Sequence, residues 1–422
     1  MSAEDARGIR RRFLVLRGLR WLPTGLLIPV LVLLMLGRGF SLTTIGVAAA
    51  AQGVMVLCLE LPTGGLADAL GRRPVLVGAT VVDAVSVLVF AAWAHTLPVL
   101  VIAWSLQGVY RALETGPLDA WYVDAALAAD PDADIESGLG AGGAVLGVAI
   151  ALGSLASSGL VALAPFGGLD PLLGPLVVYL AIRAIELVAL ARLMTEVTTP
   201  RGRGHLARTA RAVPRVVGEA MAVVRGSGAL IALVSVEFFW GFGMVTWEGL
   251  VPPRLEEITG SSDAAAAVLG PTVALAWFAS AAAAAIIPTV SRRFGPARTA
   301  ASMRIGQGLT VLGMGLAAGP VGVVTGYLAT YAIHGAANPV HQGLLHREVD
   351  ATHRTTVLSV NSMTAMLGGA VGGIALGMLA DATTVASAMV AGAIALALPA
   401  PLYLAARVAS RTTVSDPPIE VG

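Results

Sequence analysis

Long apolar runs alternate with short polar knots along the whole chain. Twelve runs lie at about 14–36, 42–62, 74–94, 98–122, 138–163, 172–194, 228–250, 265–287, 299–318, 321–344, 356–379 and 383–406. Each is long enough to cross a bilayer, which takes about 20 residues in a helix. Backbone groups in hydrocarbon must find partners within their own segment, so the runs predict helices. One polar connector is much longer than the rest. It falls mid-chain, and from Arg208 to Val224 its apolar and basic residues recur at helical spacing, as in a helix lying on a membrane surface. The expected architecture is an all-α integral membrane protein. It has a six-helix half (1–194), a cytoplasmic linker (195–227), a second six-helix half (228–410) and a cytoplasmic tail (411–422), with the halves built as repeats.

Composition supports this. The chain is 56% hydrophobic and 13% charged, about half the charge of an ordinary soluble domain. Every one of the 27 basic residues is arginine. Together with heavy Ala, Gly and Val usage, that suggests a GC-rich, bacterial genome. Arginine position then sets the orientation. With the N-terminus inside, 23 arginines fall on inner segments, Arg38 and Arg254 fall outside, and Arg111 and Arg183 fall within spans. The expected setting is a bacterial plasma membrane with both termini cytoplasmic. No small-residue cleavage site follows the first run, which is therefore read as a retained helix.

Several functions are disfavoured. The net charge of +1 indicates no particular partner, and no basic tract with interleaved aromatics points to nucleic acid. Cys58 stands alone, so no disulfide forms within the chain. The six histidines lack zinc-ligand spacing. No nucleotide loop or nucleophile arrangement appears. The chain is not expected to be an enzyme or to hold a cofactor or metal.

One knot is more specific. Between the second and third runs the chain reads Gly64-x-Leu66-Ala67-Asp68-x-x-Gly71-Arg72-Arg73-x-x-Leu76. Gly64 and Gly71 permit close packing and a tight turn, and Pro74 suits the first turn of the next helix. A weaker echo, "SRRFGPARTA", follows the eighth run. The knot resembles the loop motif of the major facilitator superfamily at every fixed position. "RTTVLSVNS" (Arg354 to Ser362) is also similar to that family's run entering the eleventh span. The resemblance implies alternating access, with the motif as a conformational latch. Gly64, Asp68, Gly71, Arg72 and Arg73 would form it, with Asp124 as acidic partner at the inner end of the fourth span. Trp104 stands where that family has an arginine before Gln107-Gly108, and the fifth span lacks the proline of its drug antiporters.

Ionisable residues within spans are expensive and mark function by default. The resemblance implies that spans one, four, seven and ten line the central cavity. In span four Arg111 and Glu114, three apart, share a helix face. They either neutralise each other or serve an anionic substrate or a proton. In span seven Glu237 has no basic residue near it in sequence, and Trp240 follows three residues on. In span ten Tyr327, Tyr331, His334, Asn338 and His341 form a polar stripe, aimed at the cavity or used in packing. The candidate substrate and proton site is Glu237, Arg111, Glu114, His334, Asn338, Tyr331 and Trp240. Arg183, Glu186 and Asp83, in outer spans, are read as structural ion pairs. Arg17 and Arg20 are expected to snorkel to the inner surface. Glycines of spans five and eleven and the alanines of span eight are expected at the contact between halves.

The expected function is secondary transport of a small solute by a monomer in the lipid bilayer. Proton-coupled efflux of drug-like or metabolite substrates is the leading form. The alternatives are a uniporter or proton symporter for a small metabolite such as a sugar, and a non-transporting membrane scaffold.

Overall fold

The structure, a computed structural model, describes residues 6–196, 215, 218–219, 221–349 and 354–406; side chains are described at these positions except 60–62, 64, 65, 68, 355 and 356. Most of the linker and all of the expected tail lie outside the described residues.

The described residues are helical almost throughout, and each of the twelve predicted spans corresponds to a helix or a helix pair. In chain order these are α1 (Ala6–Leu27), α2 (Leu31–Gly37), α3 (Leu42–Leu70), α4 (Arg72–Trp93), α5 (Leu97–Glu114), α6 (Pro117–Ala129), α7 (Ile135–Leu163) and α8 (Gly174–Leu193). The chain continues with α9 (Gly228–Glu248), α10 (Val251–Thr259), α11 (Ser262–Phe294), α12 (Pro296–Leu316), α13 (Pro320–Glu348), α14 (Arg354–Ala382) and α15 (Val385–Ala397). Nine helical segments among the described residues are long and apolar enough to cross a membrane. The segments outside that set contain α5, α12 and α13, which carry Arg111 and Glu114, Arg304, and the Tyr/His/Asn stripe. Their polarity sets them apart rather than their length, which is 18, 21 and 29 residues.

Local chemistry places the breaks. Pro23 lies inside α1, and the helix gives way four residues later, as a proline that removes one backbone donor permits. Ser41, Asp134 and Ser227 cap α3, α7 and α9 by accepting backbone N–H groups of the first turn. Gly71 (φ 96°) joins α3 to α4, and Gly295 (φ 85°) joins α11 to α12. The two echoing knots therefore make the same left-handed turn, which only glycine adopts without strain.

The chain packs as two compact units: Met1–Val213 with Leu255–Trp277, and Pro214–Arg254 with Phe278–Gly422. In the first unit α1 packs on α7 and α8, and α4 on α5 and α8. In the second, α9 packs on α14 and α15, and α12 on α13 and α15. The pairings correspond helix for helix. Glycine makes the tightest of them possible. A Cβ on Gly25 of α1 would overlap the Ile150 carbonyl oxygen, and one on Gly241 of α9 would overlap that of Ala365. The expected contact of spans five and eight forms within the first unit: the Ser158 hydroxyl of α7 donates to the Ala266 carbonyl of α11 and accepts from the Gly270 N–H. Other glycines serve packing between neighbouring helices. Gly138 and Gly142 make room for Tyr122 and Phe13, and Gly368 and Gly372 for the backbone at Phe238 and Phe242.

Candidate functional site

The motif loop is built on Gly71. Its turn exposes the first backbone N–H groups of α4, and Glu196 receives them: Oε1 accepts from the Arg72 N–H at 3.0 Å and Oε2 from the Arg73 N–H at 3.1 Å. A carboxylate at a helix N-terminus satisfies orphan donors and complements the helix dipole. A Cβ on Gly71 would lie 3.0 Å from the Glu196 carboxyl carbon, the end of a side chain that can give way, so it is the positive φ that calls for glycine. Arg72 Nη1 pairs with Asp124 Oδ2 at 2.5 Å, and Arg73 Nη2 donates to the Ala191 carbonyl at 2.7 Å. The Asp68 side chain and the surroundings of Gly64 lie outside those described.

The interior of the first unit holds a cluster of charges. Arg183 of α8 bonds Asp83 of α4 and pairs with Glu186 at 2.6 Å. Arg20 of α1 donates from Nη1 to Glu186 Oε1 at 2.9 Å and from Nε to Glu114 Oε1 at 3.0 Å. Tyr179 and Gln107 donate to the two oxygens of Asp83 at 2.6 and 2.7 Å. The Tyr110 ring lies under both guanidiniums, 5.5 Å from that of Arg20 and 5.2 Å from that of Arg183. Arg20 does not snorkel: it is 2% exposed. Two carboxylates compensate its burial, which lets a guanidinium remain in a dry interior. Glu114 meets Arg20 rather than Arg111, which is exposed.

The second unit has its own cluster, centred on Glu237. Arg304 of α12 donates from Nη2 to Glu237 Oε1 at 3.1 Å and from Nη1 to Gln307 Oε1 at 3.1 Å. His341 of α13 places Nε2 3.3 Å from Glu237 Oε1 and 3.2 Å from Asn361 Oδ1. Its Nδ1 lies 2.9 Å from the Tyr403 hydroxyl. Both neighbours of Nε2 are acceptors, so Nε2 carries a hydrogen. Trp240, one turn along α9 from Glu237, stacks on His334 with ring centroids 5.5 Å apart, and the Arg304 guanidinium lies 5.9 Å from its ring. Tyr331 donates to Glu248 at 2.6 Å and packs on Tyr327. Asn338 is exposed. The stripe on α13 thus divides between an aromatic group, Tyr327, Tyr331 and His334, and a charged one at His341. Glu237, Trp240 and His334 come together; Arg111 and Glu114 belong to the other unit.

Residues 13–373 match the family model of the Major Facilitator Superfamily. The chain belongs to that superfamily. It moves small solutes across the membrane as a multi-pass transporter. Among solved structures it is similar to the nucleoside transporter NupG (14% identity, TM-score 0.74, 94% of this chain and 99% of that one). It is also similar to a bacterial homolog of the human lysosomal transporter Spinster in an inward-facing, unoccupied conformation (14%, TM-score 0.74, 96% and 98%). The human organic anion transporter MFSD10 matches at 17% identity and TM-score 0.59 (95% and 100%). These likenesses show the superfamily fold. No curated protein matches the sequence at a significant level.

Several members of the two clusters escaped the sequence reading. Arg304 was assigned to an inner segment although it lies inside the predicted span 299–318, and that position was the available signal. Arg20, inside span 14–36, gave the same signal. Asn361 lies in the run entering the eleventh span, whereas Glu196 and Tyr403 give no signal, because their partners are distant in sequence.

Proposed function

We propose that this superfamily member is a proton-coupled exporter. It exchanges protons for a drug-like or metabolite solute across a bacterial plasma membrane, with both termini cytoplasmic. One observation carries the reading: Glu237 is held between a permanent cation, Arg304, and a titratable base, His341. A proton on Glu237 releases Arg304 from its ion pair. A proton on His341 Nδ1 turns the Tyr403 hydroxyl from donor to acceptor and gives Glu237 a second cation. Either event changes the charge beside Trp240 and His334, where a solute would bind against the aromatic faces. Tyr331 and Asn338 are the further solute contacts in this reading. The Arg72–Asp124 pair, with Glu196 fixing the turn, acts as the latch that opens and closes with each cycle.

The test uses the purified protein in liposomes that enclose a pH-sensitive dye. A proton gradient is imposed and cationic, anionic and neutral compounds are added in turn. Proton flux that depends on particular compounds and disappears in Glu237→Gln supports the reading. Uptake of a compound with no accompanying proton flux overturns it in favour of a uniporter.

A further inference from the structure

We propose that the first unit contains a second proton site, independent of Glu237, and that Glu114 is the group that carries its proton. Three carboxylates, Asp83, Glu114 and Glu186, share two guanidiniums, Arg20 and Arg183. The set therefore holds one uncompensated negative charge in the interior of a membrane protein, where such a charge is expensive. Taking up one proton makes it neutral, and the members differ in how readily they accept it.

Asp83 has both oxygens occupied, by Tyr179, Gln107 and Arg183, and is fully buried. Glu186 is bonded at Oε1 by Arg20 and Thr80 and at Oε2 by Arg183, and is 1% exposed. A proton on either would displace a donor already in place. Glu114 has one donor among the described residues, the Arg20 Nε–H, and its side chain is 16% exposed. It is the member that a proton can reach and the one that gives up least by accepting it. Arg20 stays in place when that happens, since Glu186 and the Tyr110 ring still hold it. Its Nη2 is buried and has no hydrogen-bond partner among the described residues. That spare donor lets the guanidinium turn fully towards Glu186 once Glu114 is neutral. Among the described residues, the other charged groups near the set are Arg17 and Asp119, on α1 and α6, and they pair with each other at 2.8 Å. Arg111 is exposed on α5 and Thr63 of α3 bonds the Ala112 carbonyl, so neither competes for the Glu114 carboxyl.

The step is a protonation: the Glu114 carboxylate gains one hydrogen ion, the cluster charge rises by one, and no other covalent bond is made or broken. With Glu237 in the second unit, each unit would then carry one titrating carboxylate, and transport would move more than one proton per solute.

The test needs no substrate. Infrared difference spectra between acid and alkaline pH are recorded on the full chain in lipid vesicles, together with the protons taken up on acidification. Wild-type protein should show a protonated-carboxyl C=O band that is lost in Glu114→Gln, kept in Glu237→Gln, and shifted in position in Glu114→Asp. Uptake in Glu114→Gln should fall by one proton per chain. Glu114→Asp retains the acid group and answers the question by itself if the amide variant does not fold. An unchanged band in Glu114→Gln or Glu114→Asp overturns the proposal, as does a band lost in Glu186→Gln but kept in Glu114→Gln. Solute uptake with no accompanying proton flux, with the Glu114 band intact, would overturn the proposed function and leave this site standing.

Discussion

Arg304 and Glu237 lie 67 positions apart in the chain and meet at 3.1 Å inside the second unit, both nearly removed from solvent. Breaking such a pair from one side leaves an uncompensated buried charge, which costs about 3–5 kcal/mol. Arg304→Ala should therefore lower the apparent thermal midpoint of the purified protein strongly. Combining it with Glu237→Gln should recover much of the loss. A double variant whose midpoint falls by the sum of the two single effects would show that the residues are not coupled.

Arg38 and Arg254 each close the end of a helix. Arg38 donates to the Phe90, Ala91 and Ala94 carbonyls at the end of α4, and Arg254 to the Ala317 carbonyl at the end of α12. Helix-terminal carbonyls lack partners within the helix, and a cation there also complements the dipole. Arg38→Ala should cost about 2 kcal/mol, in the range of bonds to a charged donor. The check is a thermal-shift measurement, with Arg38→Lys falling between the two.

Glu196 should matter more than its exposed position suggests. Replacing it with alanine removes both acceptors at the start of α4 and loosens the turn that aims Arg72 at Asp124. A lost cap costs about 1 kcal/mol of stability. The larger expected effect is on transport, with Glu196→Ala shifting the solute exchange rate in the same direction as Asp124→Asn. Unaltered exchange in Glu196→Ala would separate the cap from the latch.

Glycine substitutions should split sharply. Gly25→Ala and Gly241→Ala drive a methyl group into a neighbouring carbonyl and should abolish folded protein in size-exclusion profiles. Gly143→Ala meets nothing within 4 Å and should behave as wild type.

Much of the fold was legible because apolar runs and arginine position are one-dimensional signals. The repeat could also be read, in a pattern that was not used. The same separation along the chain divides Gly25 from Gly241 and Arg38 from Arg254, and each pair does the same job in its own unit. The charge partners were less legible, because sequence proximity is a poor guide to contact between helices. Arg111, three residues before Glu114, looked like its partner, yet Arg20 fills that role from 94 positions away. Glu237 looked unpaired for the same reason. Depth is equally hard to read: Arg20 is expected to snorkel and Arg304 counts with an inner segment, whereas facing carboxylates draw both inside.

The most direct test of proton coupling through Glu237 compares two assays of one variant in proteoliposomes. Counterflow exchanges labelled for unlabelled solute and needs no net proton movement, while accumulation against a gradient does. Glu237→Gln should retain counterflow and lose accumulation driven by a proton gradient. Equal loss of both would mean that Glu237 serves solute binding or folding, and retention of both would place coupling elsewhere in the molecule.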